Sequence, residues 1–383
     1  MTIDTQAIPN DVAIVEYWLG RTRALGWTVT REGVALSDLG SSAAINDAAL
    51  ALHTSLRSLG SVSLQERLRQ TQRVYDLVMA PLQAQLADKK SLTFVADGAL
   101  HYVPFGVLRS AGREGRFVIE NHDVAVAPSA RTLLQLPAPR AAAASRMLLV
   151  ADPVYRKDDA RLAMNDAGNK VAQTQTPSRV PDAFRGPDAG TLQRLPGTAA
   201  EAAAIRALFA KNQLDALDGR AASRDRFLAT NFRDYRFIHI ATHAVADLEI
   251  PQLSALILST VDARGAAING RVFAADLLTI RLDTELVVMS GCETALGKSV
   301  AGEGLIGLQY IMLARGARSV MSSLWAVPDR ETADLMSRFY SDLLLRVPSP
   351  RQALSNAMRT LLAAGTDPGM WSAFALTTSE LSD

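Results

Sequence analysis

The stretches Phe237-Ile-His-Ile-Ala-Thr-His243 and Leu286-Val-Val-Met-Ser-Gly-Cys292 decide how this chain is interpreted. Each is a short apolar run that ends in a polar or reactive side chain, a pattern typical of a buried strand that leads into a loop. Similar apolar runs alternate with helical patterns from about residue 198 to residue 376. This alternation predicts an α/β fold in which a mostly parallel sheet is flanked by helices.

His243 and Cys292 directly follow the carboxyl ends of two of these predicted strands. In an open parallel sheet, binding and catalytic groups gather at that edge, and neighbouring strands lie about 4.8 Å apart. If the two strands are parallel neighbours, the imidazole and the thiol meet over one substrate site. The interval of 49 residues between them leaves room for an intervening strand and helix.

This pair of side chains is suited to nucleophilic catalysis. Cysteine attacks as the thiolate, and a neighbouring histidine raises the thiolate fraction and later protonates the leaving amine. The backbone amides of Ala244 and Cys292 are candidate donors to an oxyanion, and Gly291 permits a close backbone approach to the substrate. The alternative for a lone cysteine is a small buried hydrophobic residue. We interpret His239 as a core histidine, because no third metal ligand accompanies it, and we predict no metal or cofactor.

The composition restricts the class of protein further. The 383 residues include 40 Lys and Arg against 39 Asp and Glu, whereas a surface that binds nucleic acid or anionic lipid needs a basic excess. An apolar content of 48% is typical of a packed globular chain, and the single cysteine excludes an intramolecular disulfide. The sequence contains neither a signal-peptide pattern nor an apolar run of about 18 residues. We therefore expect a soluble, cytoplasmic protein that binds no nucleic acid directly and no membrane.

Further motifs extend the two stretches in both directions. They are Asp97-Gly98-Ala-Leu100 upstream, and Gly302-Glu303-Gly304-Leu305, Gly316-Ala317-Arg318-Ser319-Val320, Ser323-Leu324-Trp325 and Trp371-Ser-Ala-Phe374 downstream. Over roughly residues 92–376, this series resembles the CHAT domain of caspase-like cysteine peptidases. A histidine about 50 residues before the cysteine is also the spacing found in caspases.

The resemblance implies a caspase-haemoglobinase fold and peptide-bond hydrolysis by a Cys–His dyad that lacks a third orienting acid. Cys292 would be the nucleophile and His243 the general acid and base. Ala244 stands where relatives often have glycine, and Gly291 where alanine is common, but neither change removes a backbone donor. Relatives usually carry tetratricopeptide repeats, so the expected partners are a protein substrate and a regulatory or tetratricopeptide-repeat module. A catalytically silent CHAT scaffold and another thiol enzyme, such as an acyltransferase, remain as alternatives.

The resemblance also suggests where the substrate side chain binds. Members of the broader clan often hold a basic P1 side chain with an acid at the end of the first strand of the protease half. Asp152 occupies that kind of place, and Asp247 and Glu249 are further candidates, although Asp152 could simply form a turn with Pro153. A carboxylate there predicts cleavage after Arg or Lys. The same preference makes four arginines candidate self-cleavage points: Arg161, Arg179, Arg185 and Arg194.

We predict three parts along the chain. Residues 1–90 form a helical lead-in that includes a short hairpin, residues 91–140 a degenerate caspase-like portion, and residues 141–383 the protease portion. Residues 157–196 are rich in Pro, Gly and Arg and predict a mobile insert. Thr198-Ala-Ala-Glu201 after it has the pattern of a capping box at the start of a helix.

Overall fold

The structure is a computed structural model that describes residues 5–112, 115–135, 146–163, 192–245, 251–291, 303–347 and 349–381. The strands are β1 Val12–Leu19, β2 Arg23–Thr30, β3 Gly33–Ser41, β4 Ser91–Val95, β5 Asp123–Val126, β6 Met147–Ala151, β7 Leu214–Asp218, β8 Phe237–Ala241, β9 His243–Val245, β10 Ala255–Ile257, β11 Arg271–Phe273, β12 Thr284–Met289, β13 Ala317–Ser323 and β14 Phe374–Thr378. The helices are α1 Ser42–Arg57, α2 Leu64–Val78, α3 Gln83–Leu86, α4 Val118–Asn121, α5 Ala130–Gln135, α6 Ala160–Ala163, α7 Pro196–Arg206, α8 Arg224–Leu228, α9 Ala274–Leu277, α10 Glu303–Ala314, α11 Asp329–Leu345, α12 Pro350–Ala363 and α13 Pro368–Trp371.

The chain forms two compact units. The first unit comprises Met1–Ala141 and Arg318–Asp383, and the second comprises Ala142–Ala317. In the first unit the strand order is β3-β2-β1-β4-β5-β14-β13, with parallel pairing from β1 through β4 and β5 to β14 and antiparallel pairing at both ends. The rings of Phe94 and Phe105 stack in its core with 4.1 Å between their centroids. The division into three parts predicted from the sequence stays a prediction.

The N-terminal lead-in begins as strands, which corrects the expectation of a mostly helical segment. Residues 12–41 form the three antiparallel strands β1–β3, and helices begin only at Ser42. The first four residues of β1 are all buried, so the apolar pattern lacks the alternation that identifies a strand with one exposed face. The short hairpin is confirmed, because Trp27 pairs with Leu36 and Thr30 with Gly33.

The second unit contains a parallel sheet and a small antiparallel one. The parallel strands follow the order β12-β8-β6-β7, and β9, β10 and β11 form the antiparallel sheet. β6 and β8 are buried along their whole length, which explains their continuous apolar sequence. The predicted α/β class, with a large, mostly parallel sheet flanked by helices, is confirmed.

One local prediction is wrong. Helix α7 begins at Pro196, so Thr198 and Glu201 lie inside it and form no capping box. The Thr198 hydroxyl donates instead to the Leu195 carbonyl at 2.7 Å.

Candidate active site

The two strands that precede the predicted dyad are neighbours in the second unit. β8 and β12 pair in parallel, with His239 opposite Val288 and Ile240 opposite Met289. Both strands therefore end at the same edge of the sheet, where ligands bind in open α/β folds. His243 follows β8 at this edge, and Gly291 is the last described residue after β12. Cys292 lies outside the described residues, as do Asp247 and Glu249.

A backbone contact joins the ends of the two strands. A Cβ atom at Gly291 would overlap the nitrogen, carbonyl carbon and oxygen of Thr242. The absence of a side chain at position 291 therefore lets the chain after β12 lie directly against the chain after β8. In the sequence, His243 directly follows Thr242, and Cys292 directly follows Gly291. The expected close approach at Gly291 is made to the Thr242 backbone and not to a substrate.

His243 is held in a defined orientation. It is 2% exposed, and its Nε2 atom lies 2.7 Å from the carbonyl oxygen of Gln193. A carbonyl oxygen can only accept a hydrogen bond, so Nε2 carries the hydrogen and donates. In the neutral imidazole, Nδ1 is then the acceptor, and within the described part of the chain this buried atom has no hydrogen-bond partner. The ring is therefore oriented by a backbone carbonyl, with its basic nitrogen available for a proton.

Tyr155 stabilises the backbone around His243 through hydrogen bonds. The tyrosine hydroxyl accepts the His243 N–H at 3.4 Å, and it lies 2.8 Å from the Thr242 hydroxyl and 3.2 Å from the Ile257 carbonyl oxygen. The tyrosine and histidine rings pack with 5.0 Å between their centroids. Burial raises the pKa of Tyr155, so the phenol stays protonated and acts as a hydrogen-bonding link between elements. The candidate oxyanion donor Ala244 lies beside this link in β9, opposite Leu256 of β10.

Asp152 lies at the end of β6, and its carboxylate is already engaged by two arginines. Arg194 binds it bidentately, with Nε 2.8 Å from Oδ1 and Nη2 2.7 Å from Oδ2. Arg161 approaches Oδ2 to 2.7 Å and also pairs with Asp159 at 2.6 Å. The hydrogen bonds to Asp152 raise the pKa of the Arg194 guanidinium. The hydrogen bonds from Arg161 lower the pKa of the Asp159 carboxyl to about 2. Two carboxylates and two guanidinium groups thus form one neutral cluster beside the strand ends.

A second buried polar group was missed by the sequence analysis. The Glu201 carboxylate on α7 accepts the Ser290 hydroxyl at 3.0 Å, and its other oxygen lies 3.2 Å from Nε2 of His239. Ser290 Oγ also lies 3.2 Å from that nitrogen. His239 is buried, and its neighbours are polar. A single glutamate flanked by alanines on both sides was the available signal in the sequence, whereas the sequence analysis interprets Glu201 as part of a helix cap.

Neither a metal cluster nor a membrane-spanning helix is found in the described ranges. Groups of three or more metal-binding side chains do not occur among these residues. Helices in the same part of the chain are too short or too polar to cross a bilayer.

Comparison with known proteins identifies the family. Residues 68–379 match the CHAT domain, and the chain belongs to that family. Tetratricopeptide repeat protein 28 from Mus musculus and that from Homo sapiens are each 25% identical to it over 352 residues, which cover 80% of this chain. The chain spans only 13% of the length of these relatives.

Solved structures resemble the fold at low sequence identity. The Saccharomyces cerevisiae separase–securin complex matches with a TM-score of 0.52 and 10% identity, over 96% of this chain and 30% of that one. The Arg-specific cysteine proteinase gingipain R matches with a TM-score of 0.46 and 10% identity, over 88% and 74% of the two chains. The match to the separase–securin complex is a likeness of fold alone.

Proposed function

We propose that this chain is a cysteine endopeptidase that cuts a protein substrate through a dyad of His243 and Cys292. The observation that carries the proposal is the parallel adjacency of β8 and β12, with Gly291 against the Thr242 backbone. In the proposal, Cys292, the residue after Gly291, meets the imidazole of His243, the residue after Thr242. Membership of the CHAT family and the caspase-like fold support the same assignment.

The proposed reaction uses the buried imidazole as base and then as acid. His243 Nδ1 takes the thiol proton, and the Cys292 thiolate attacks the carbonyl carbon of the scissile peptide bond. The backbone amides of Ala244 and Cys292 donate to the oxyanion of the tetrahedral intermediate. The imidazolium then protonates the leaving amine as the C–N bond breaks, and water hydrolyses the resulting thioester. Gln193, through its carbonyl oxygen, stabilises the charged ring in the meantime.

We further propose that the enzyme prefers Arg or Lys at the P1 position. The Asp152 carboxylate already binds one guanidinium group bidentately, that of Arg194, so its geometry suits an arginine side chain. A substrate arginine would displace Arg194 and preserve the neutral charge of the cluster. Asp247 is proposed as a secondary contributor.

The first test is covalent labelling of the nucleophile. A peptidyl acyloxymethyl ketone with Arg at P1 should modify Cys292, and mass spectrometry of the digested protein should place the adduct there. Labelling should disappear in Cys292→Ala and fall strongly in His243→Ala. The matched control His122→Ala changes a histidine of the first unit, outside the proposed site, and should label normally. Equal labelling of wild type and His243→Ala would refute the dyad.

A catalytically silent CHAT scaffold is the second candidate function. The burial of His243, at 2% exposure, favours the scaffold, because a peptidase needs this imidazole to be accessible to its polypeptide substrate. The labelling experiment separates the two candidates. Modification of Cys292 by the reagent with Arg at P1, but not by the same reagent with Asp at P1, supports the peptidase. Modification by neither reagent supports the scaffold.

A further inference from the structure

The buried network of Glu201, His239 and Ser290 joins three elements beneath the candidate site. Glu201 belongs to helix α7, His239 to strand β8, and Ser290 directly follows strand β12. Their exposures are 2%, 0% and 8%, and the three pairwise separations of their polar atoms are 3.0, 3.2 and 3.2 Å. Oε2 of Glu201 accepts the Ser290 hydroxyl, whereas Oε1 forms no hydrogen bond within the described residues and lies 3.2 Å from Nε2 of His239. Because a buried carboxylate is costly without polar neighbours, these contacts constrain all three elements.

The network lies next to both reactive positions in the sequence. His239 precedes His243 by four residues, and Ser290 precedes Cys292 by two. Ser290 is fixed twice, because its hydroxyl donates to Glu201 and its backbone N–H donates to the Ile240 carbonyl at 3.1 Å. The carboxylate therefore holds the end of β12 at a set distance from β8.

The segment that contains Glu201 also contacts His243. Gln193 accepts the hydrogen bond from the imidazole, and helix α7 begins three residues later at Pro196. Residues 193–201 therefore contact the ends of both strands. The Gln193 carbonyl contacts His243 after β8, and the Glu201 carboxylate contacts Ser290 after β12. Movement of α7 would displace the contacts to His243 and Ser290 together.

We infer that Glu201 is a positioning residue for the proposed dyad. It touches neither substrate nor reacting atoms, and it acts by fixing the chain after β12 relative to β8. The inference rests on the proposed function, in which the thiol of Cys292 must meet the imidazole of His243. A displacement of about 1 Å between catalytic groups is enough to reduce turnover by about a hundredfold.

The test compares Glu201→Gln with the matched control Glu285→Gln. Glu285 is a partly buried carboxylate near the start of β12, and it pairs with Arg236 at 2.7 Å. Two quantities are measured for each: kcat and KM on a peptide with Arg at P1, and the rate of iodoacetamide alkylation at pH 6.5. Because Cys292 is the single cysteine of the chain, alkylation reports on that thiol alone.

Glu201→Gln should lower kcat about tenfold or more, leave KM within about twofold, and slow alkylation at pH 6.5, because a displaced imidazole no longer promotes the thiolate. Glu201→Asp should recover part of each loss, and Glu285→Gln should match wild type. A folded Glu201→Gln protein with wild-type kcat and alkylation, or equal losses in both glutamine variants, would overturn the inference.

Two further outcomes keep the test decisive. If the wild type cleaves no peptide, slower alkylation in Glu201→Gln alone still supports the positioning role, while the peptidase proposal fails. If Glu201→Gln does not fold by circular dichroism, Ser290→Ala replaces it, because this change removes only the hydroxyl that donates to Glu201. Unchanged alkylation in folded Ser290→Ala would then refute the inference.

Discussion

The Nε2 atom of His243 donates a hydrogen bond to the carbonyl oxygen of Gln193 across 2.7 Å. This bond fixes the tautomer, since the carbonyl can only accept, and it leaves Nδ1 as the basic nitrogen. The orienting group is thus a backbone oxygen, which no side-chain substitution can remove. The predicted dyad without a third acid is consistent with this arrangement.

We predict that Gly291→Ala destabilises the protein. The added methyl group would overlap the Thr242 backbone, which cannot yield as the end of a flexible side chain can. Overpacking of this kind costs about 1–3 kcal/mol of unfolding free energy. Urea denaturation measures it, with Gly307→Ala as the control. Position 307 has open space for a Cβ within helix α10, so that variant should be as stable as wild type or slightly more stable.

We predict that Arg194→Ala lowers KM for peptides with Arg or Lys at P1. The substitution frees the Asp152 carboxylate from its internal guanidinium, while Arg161 keeps its own contact. Since a partly exposed ion pair contributes up to about 1 kcal/mol, the decrease in KM should be roughly threefold to fivefold. Arg206→Ala on α7 removes an exposed pair with Asp218 of β7 and should leave KM unchanged. A rise in KM would show that Arg194 assists binding and does not compete with it.

The stability of the first unit should decline between pH 7 and pH 5. Burial lowers the pKa of His53, whose Nδ1 lies 3.3 Å from the Tyr102 carbonyl oxygen and whose buried Nε2 has no partner among the described residues. The unfolded chain therefore binds a proton more readily than the folded one, so the unfolding free energy decreases as the pH falls below about 6.5.

Urea midpoints at pH 7.5 and pH 5.5 measure this dependence. His53→Gln should reduce the difference between the two midpoints. His101→Gln, the same substitution at another histidine of the first unit, is the comparison variant. An undiminished difference in His53→Gln would contradict the assignment.

We predict that Arg67→Ala strongly destabilises the first unit. The Arg67 side chain is 3% exposed, forms an ion pair with Asp367, and donates to the carbonyl oxygens of Ser55 and Val62 at 3.0 and 2.7 Å. Its removal leaves these acceptors without their partner, at a cost of about 2–4 kcal/mol. Arg69→Ala on the same helix removes an exposed pair with Glu66 and should change the unfolding free energy far less. Similar losses in both variants would refute the structural role of Arg67.

The parallel sheet could be predicted from the sequence because its strands are short, continuous apolar runs. β8 and β12 lie within the two apolar stretches that the sequence analysis identifies as strands. Their adjacency, which the sequence argument could only assume, is seen in the parallel pairing of the structure. β1 was not recognised as a strand, since burial on both faces removes the period-two alternation.

The contacts around the candidate site could not be predicted, because they join residues far apart in the chain. Gln193 meets His243 across 50 positions, and Glu201 meets Ser290 across 89. The position of Asp152 at a strand end was predictable, whereas its pairing with Arg194 depends on the path of the chain over 42 residues. Local patterns carry no information about such pairs, so the polar network became visible only with the fold.

The backbone at Asp152 limits which side chains this position can carry, and therefore how the proposed P1 preference could be re-engineered. Its φ of 49° lies in the left-handed region, and it is the one described non-glycine residue there. Aspartate, asparagine and glycine tolerate that conformation, whereas other residues incur about 1–2 kcal/mol of backbone strain. A designer who wants a different side chain accepted has Asn and Gly as the tolerated exchanges at position 152. Larger changes of preference have to be introduced at Arg161 and Arg194, where φ imposes no such restriction.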